Sequence, residues 1–120
     1  MSQPDAQLIA AQVREALAED VGSGDLTASL VQDGQPAEAR IISRQFAILC
    51  GRAWVDEVFR QVDDSVVLHW SCDEGATLAD GVEVLRMQGA ARSLLTAERT
   101  ALNFLQTLSG TATRAAQYVQ

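Results

Sequence analysis

Arg99 and the side chains around it are the part of this sequence best suited to chemistry. They lie in and just before the tract AERTALNFLQTLSG, Ala97 to Gly110. At about 100° per residue, helical spacing gathers Ala91, Leu94, Leu95, Ala101, Leu102, Leu105 and Leu108 on one side. Arg92, Thr96, Arg99, Asn103 and Gln106 gather on the other. This polar face holds two arginines, two amides and a hydroxyl but no carboxylate, in a chain of formal charge −7. Such a face is suited to binding an anion. A guanidinium stays charged at any physiological pH, and its planar fork matches a carboxylate or phosphate with two parallel hydrogen bonds. The plainer alternative is a solvated surface arginine.

Glu98 falls by the same spacing in the middle of the apolar side, near Leu102 and Leu105. A buried carboxylate must be paired, richly hydrogen-bonded or protonated. Glu98 is therefore expected to be buried and paired, in a structural role. The glycine-rich stretch EDVGSGDLT, Glu19 to Thr27, lacks the G-x-G-x-x-G spacing and follows a helix rather than a strand, so it reads as a structural turn and not a phosphate loop. Gly22 and Gly24 supply the backbone freedom of that turn, with Asp20 or Asp25 left as a residual candidate near a substrate. His69, beside Trp70 in a strand, reads as structural.

The absent residues narrow the chemistry. All nine basic residues are arginine. Without lysine there is no Schiff-base nitrogen, no P-loop lysine and no lipoyl or biotinyl attachment, although Glu74-Gly75 to Gly81 resembles the hairpin turns of lipoyl and biotinyl domains in spacing. One histidine and two cysteines, Cys50 and Cys72, with no C-x-x-C, do not make a standard zinc site. Two buried free thiols are expected. The chain bears no basic-then-apolar leader and no run of ~20 apolar residues, which reads as cytoplasmic rather than exported or membrane-spanning. The acidic charge argues against non-specific binding to nucleic acid or to an anionic membrane.

The elements that must position these residues fit one domain of 120 residues, 48% hydrophobic. A helix is expected from Asp5, its cap, to Glu19, ending at Asp20 to Gly24. Asp25 and Thr27 read as caps of a short turn through Leu30, and a loop runs from Asp33 to Pro36. Ala37 to Gly51 reads as a strand or bent hairpin pair. Arg52 to Val62 is a helix with Trp54, Val55, Val58 and Phe59 inward. Ser65 to Ser71 and Val82 to Met87 are strands, the latter with Val82 and Val84 opposite Glu83 and Leu85. Asp73 to Gly81 is a turn flanking a very short strand. The long helix starts near Ala90, and Ser109-Gly110 should kink or end it before helical character resumes from Thr111. The order predicts an α+β fold: a small, mostly antiparallel sheet covered on one face by helices.

EDVGSGDLT, EG-x-x-L-x-x-G from Glu74 to Gly81 and ERTALNFLQ-x-LSG-x-AT from Glu98 to Thr113 occur in that order. Together, over about Ala10 to Thr113, they resemble the N-terminal domain of the quinolinate phosphoribosyltransferase family. The resemblance implies an open-faced α+β sandwich, residues 1–110, for substrate capping and dimerisation. Residues 111–120 would begin a linker helix towards an α/β barrel that this sequence does not contain. It implies a glycosyltransferase reaction: quinolinate and phosphoribosyl pyrophosphate give nicotinate mononucleotide, carbon dioxide and pyrophosphate in NAD biosynthesis. Mg2+ would accompany phosphoribosyl pyrophosphate on the barrel. It also implies a homodimer in which Arg99 reaches into the neighbouring subunit's site, supported structurally by Glu98, Asn103, Gly22, Gly24 and Asp25. No catalytic residue and no metal ligand is expected within these 120 residues, which alone should not turn over. The molybdenum-transport paralogue shares much of the pattern. A freestanding interaction domain, binding a partner protein through the polar helix face, is a further alternative.

Overall fold

The computed structural model describes residues 5–29 and 35–119, with side chains for 5–20 and 35–110. The chain folds as α1 (Ala6–Ser29), β1 (Pro36–Ile42), β2 (Ala47–Ile48), α2 (Arg52–Val62), β3 (Val67–Trp70), β4 (Thr77–Leu78), β5 (Glu83–Ala90) and α3 (Ala91–Val119). Three strands form an antiparallel sheet in the order β1-β5-β3, and β2 pairs with β4 in a second, two-stranded sheet. This is the α+β arrangement the sequence predicts.

Strand alternation decides which sheet face is covered. Ala39 and Ile41 of β1 sit opposite Met87 and Leu85 of β5, which in turn face Leu68 and Trp70 of β3. These side chains point towards the helices. The intervening residues point outward: Glu38, Arg40, Arg86, Gln88 and the exposed His69. Arg40 lies directly across from Arg86, and Glu83 lies within ion-pair distance of both arginines, at 3.8 and 3.2 Å. Val84 and Leu85 are both buried, contrary to a simple alternation, because Val84 faces a groove shared with Leu49 and Leu78 of the small sheet's region. A register shift between Ile41 and Ile42 marks the same place.

The helices complete the core. Ile9, Val13 and Leu17 recur every four residues on α1, and Val55, Val58 and Phe59 form the buried stripe of α2. Asp5 caps α1, its Oδ1 accepting from the Gln7 amide at 2.9 Å. Trp54 is half-buried and donates to Gln12 on α1. The start of α2 turns on Gly51, held at φ 110°, a left-handed conformation suited to glycine. Glu74 caps the same helix end from a distance: its carboxylate accepts from the amides of Gly51 and Arg52 at 3.0 and 3.1 Å, where the helix dipole favours negative charge.

Two expected helix ends do not occur. α1 does not stop at Asp20 to Gly24 but runs to Ser29, taking Gly22, Gly24, Asp25 and Thr27 into helix. Glycine permits a turn without requiring one, and in a helix interior it costs only about 1 kcal/mol relative to alanine. The side chain of Asp25 lies outside the described residues, as do Pro4, Leu30 and Asp33. Likewise α3 continues through Ser109 and Gly110 to Val119. Ser109 has a packing role instead, described below. Cys50 and Cys72 are free thiols, half-buried rather than fully buried.

Candidate functional site

The long helix α3 carries the candidate site, and its packing decides what each face can do. It touches α1, α2, β1, β2 and β5. Leu94, Ala97, Thr100, Ala101 and Leu105 are buried against them. Arg99, Asn103 and Gln106 are exposed, and Arg92 and Thr96 are half-buried. From Arg99 onward the polar face read from the sequence is therefore the solvent face. Asn103 lines a groove of about 650 Å3 between α1 and α3, together with Glu15, Asp20, Trp54, Thr100 and Thr107.

Arg99 makes no ion pair among the described residues. Arg40, Arg52, Arg60 and Arg86, by contrast, all stand within ion-pair distance of carboxylates. Arg52 is also stacked 5.0 Å from the Trp70 ring and donates to the Cys72 carbonyl. Those four serve the fold. Arg99, like the exposed Arg14 and Arg44, stands in no ion pair with the described residues.

Glu98 is not buried. It is exposed, at the lip of a smaller groove with Arg40, Phe59 and Leu102. Glu98 borders an open groove between β1, α2 and α3 instead of a close contact. α1 meets α3 on the side of Thr100 and Phe104, and that contact buries Thr100, whose residue type gave no hint of it.

Among the described residues, the hydroxyls of Ser93, Thr100 and Ser109 fasten α3 to its neighbours. At its first turn, Ser93 Oγ donates to Asp63 Oδ2 at 2.6 Å, beyond the end of α2. In the middle, Thr100 Oγ1 donates to Asp20 Oδ2 of α1 at 2.7 Å. Further along, Ser109 Oγ accepts from the Cys50 amide and donates to the Cys50 carbonyl, both at 3.0 Å. These bonds escaped the sequence reading. The available signal was a hydroxyl residue at or beside an apolar stripe, where an unbonded hydroxyl is costly.

His69 stands exposed on the outer sheet face. The Cys50 thiol is pushed up, first by burial and then by the nearby Glu74 carboxylate, which makes it a poor nucleophile. Among the described residues no three His, Cys, Asp or Glu side chains stand together as metal ligands.

Known proteins share this fold. The family model described as "Quinolinate phosphoribosyl transferase, N-terminal domain" matches residues 25–109. A Bacillus subtilis protein named a probable nicotinate-nucleotide pyrophosphorylase (carboxylating) is 36% identical over 104 residues, covering 85% of this chain and 35% of that protein. Quinolinate phosphoribosyltransferase (decarboxylating) 1b of Nicotiana tabacum is 35% identical over 103 residues, covering 84% and 29%. The solved nicotinate-nucleotide pyrophosphorylase from Francisella tularensis superposes with a TM-score of 0.88 at 40% identity, covering 92% of this chain and 40% of that one. This chain spans about a third of the curated relatives' length, 29% and 35% in the two cases. It belongs to the quinolinate phosphoribosyl transferase family and has the fold of that family's N-terminal domain.

Proposed function

We propose that this chain is the substrate-capping and dimerisation domain of a quinolinate phosphoribosyltransferase. The whole protein joins quinolinate to phosphoribosyl pyrophosphate, releasing pyrophosphate and carbon dioxide and leaving nicotinate mononucleotide. It works as a cytoplasmic homodimer, and Mg2+ enters with phosphoribosyl pyrophosphate on the barrel. The names of the relatives support this branch over the molybdenum-transport paralogue.

The observation that carries the reading is Arg99: exposed, without an ion pair among the described residues, on a helix face that lacks carboxylates. Quinolinate has two carboxylates, and its partner substrate has several phosphate charges. Bringing them together needs cations already fixed in place. A guanidinium on a rigid, well-packed helix binds and orients an anionic group more exactly than one on a loop. Arg99 supplies that contact to the neighbouring subunit's site. This chain supplies no base or acid for the reaction, so alone it does not turn over.

The test is calorimetric titration of the full-length protein with quinolinate. The wild type should bind, and Arg99→Ala should weaken binding by about 2–5 kcal/mol, the scale of cutting a charge-assisted pair in a closed site. Equal affinity in the two proteins would sink the reading.

A further inference from the structure

We propose that Thr100 and Asp20 form a positioning pair that aims Arg99, a proposal that rests on reading Arg99 as the anion clamp. Thr100 is 1% exposed. Its hydroxyl donates to Asp20 Oδ2 at 2.7 Å, joining positions 80 residues apart. The pair ties together the two tracts that the sequence marks most strongly, EDVGSGDLT through Asp20 and ERTALN through Thr100.

Burial alone does not call for this hydroxyl. Ala97 and Ala101, its neighbours on the helix interface, are buried without one, and valine has the same shape. What the hydroxyl adds is direction. A hydrogen bond weakens steeply as it bends, whereas contact through small apolar side chains tolerates rotation. A charged acceptor also makes the bond stronger than a neutral one. Arg99 is the next residue along, displaced by about 100° around the axis. Holding Thr100 towards α1 therefore holds Arg99 on the adjoining solvent bearing. Ser93 and Ser109 secure other heights of α3, against Asp63 and Cys50. Thr100 is the fastening beside the clamp.

The experiment compares Thr100→Val, Thr100→Ser, Asp20→Asn and Arg99→Ala in the full-length protein, titrated calorimetrically with quinolinate. A purely structural defect lowers the fraction of competent sites, and so the stoichiometry, without changing Kd. Loss of aim raises Kd at unchanged stoichiometry. Thr100→Val should raise Kd roughly tenfold, less than the ~10²-fold that a 1 Å misplacement can cost. Thr100→Ser keeps the donor and should stay near wild type. If Thr100→Val does not fold, Asp20→Asn carries the test: it replaces a charged acceptor by a neutral one and should raise Kd about threefold. A wild-type Kd for the variant that carries the test, Thr100→Val or in its place Asp20→Asn, beside a lost one for Arg99→Ala overturns the positioning role alone. A wild-type Kd for Arg99→Ala overturns the clamp and the positioning pair together.

Discussion

Ser109 holds the backbone of Cys50 by both of its polar groups, accepting from the amide and donating to the carbonyl at 3.0 Å each. This joins α3 to the corner between β2 and α2. Ser109→Ala should leave both groups of Cys50 short of that partner in a part-buried site. The expected loss is about 1–3 kcal/mol, read by chemical denaturation. A variant as stable as the wild type would show that the contact is incidental.

Gly51 meets α3 at the same corner. Its φ is 110°, and an added Cβ would stand 2.9 Å from Leu108 Cδ1. The end of Leu108 can give way, but the backbone conformation cannot be relieved so easily. Gly51→Ala should destabilise by on the order of 1–3 kcal/mol. Thermal unfolding of the single variant and of Gly51→Ala with Leu108→Ala separates the two causes. If the second substitution restores full stability, crowding rather than backbone strain dominates.

The Ser93–Asp63 bond should make the attachment of α3 depend on pH. The Ser65 hydroxyl, then Ser93 and then the Ser65 amide hold the Asp63 carboxyl below its ordinary value by bonding to the charged form. A depressed folded-state pKa stabilises fully above the unfolded value and is lost as pH falls through the folded one. Ser93→Ala should therefore be less stable than the wild type at neutral pH, with the gap narrowing below about pH 4. Urea denaturation over a pH series measures this. A gap of constant size down to pH 3 would contradict it.

Arg99 acting across the dimer can be tested by subunit exchange. Arg99→Ala subunits are mixed with subunits whose barrel site is dead. One site of each mixed dimer then joins an intact barrel to an intact Arg99. Statistical mixing restores about a quarter of the sites. Arg99→Lys should recover activity only partly, since an ammonium lacks the two-pronged contact. No activity after confirmed subunit exchange would mean that Arg99 does not work in trans.

Local periodicity made much of this legible. Val55, Val58 and Phe59 on α2, and Ile9, Val13 and Leu17 on α1, are buried as their spacing predicts. The exposure of Arg99 and Asn103 follows from the same rule. The failures share one cause: they depend on what approaches from far along the chain. Spacing places Glu98 among leucines, but it borders a groove left open between β1, α2 and α3. Nothing near Glu74 announces that it caps a helix starting 22 residues earlier. Nothing near Thr100 announces Asp20. Gly22 and Gly24 depart in the opposite sense, because a residue able to turn need not do so.

The fastenings at Ser93, Thr100 and Ser109 also fix the phase of α3 while its length could in principle vary. Inserting one residue between Ser93 and Ser109 would turn everything beyond it by about 100°. The Ser109 hydroxyl would leave Cys50, and the polar face would point elsewhere. Four inserted residues would nearly restore the bearing but advance the helix by about 6 Å. Neither change leaves all three hydroxyls opposite their partners. The tract behaves like a key cut in three places, which tolerates changes to its blank surfaces far better than a change in the spacing of its notches.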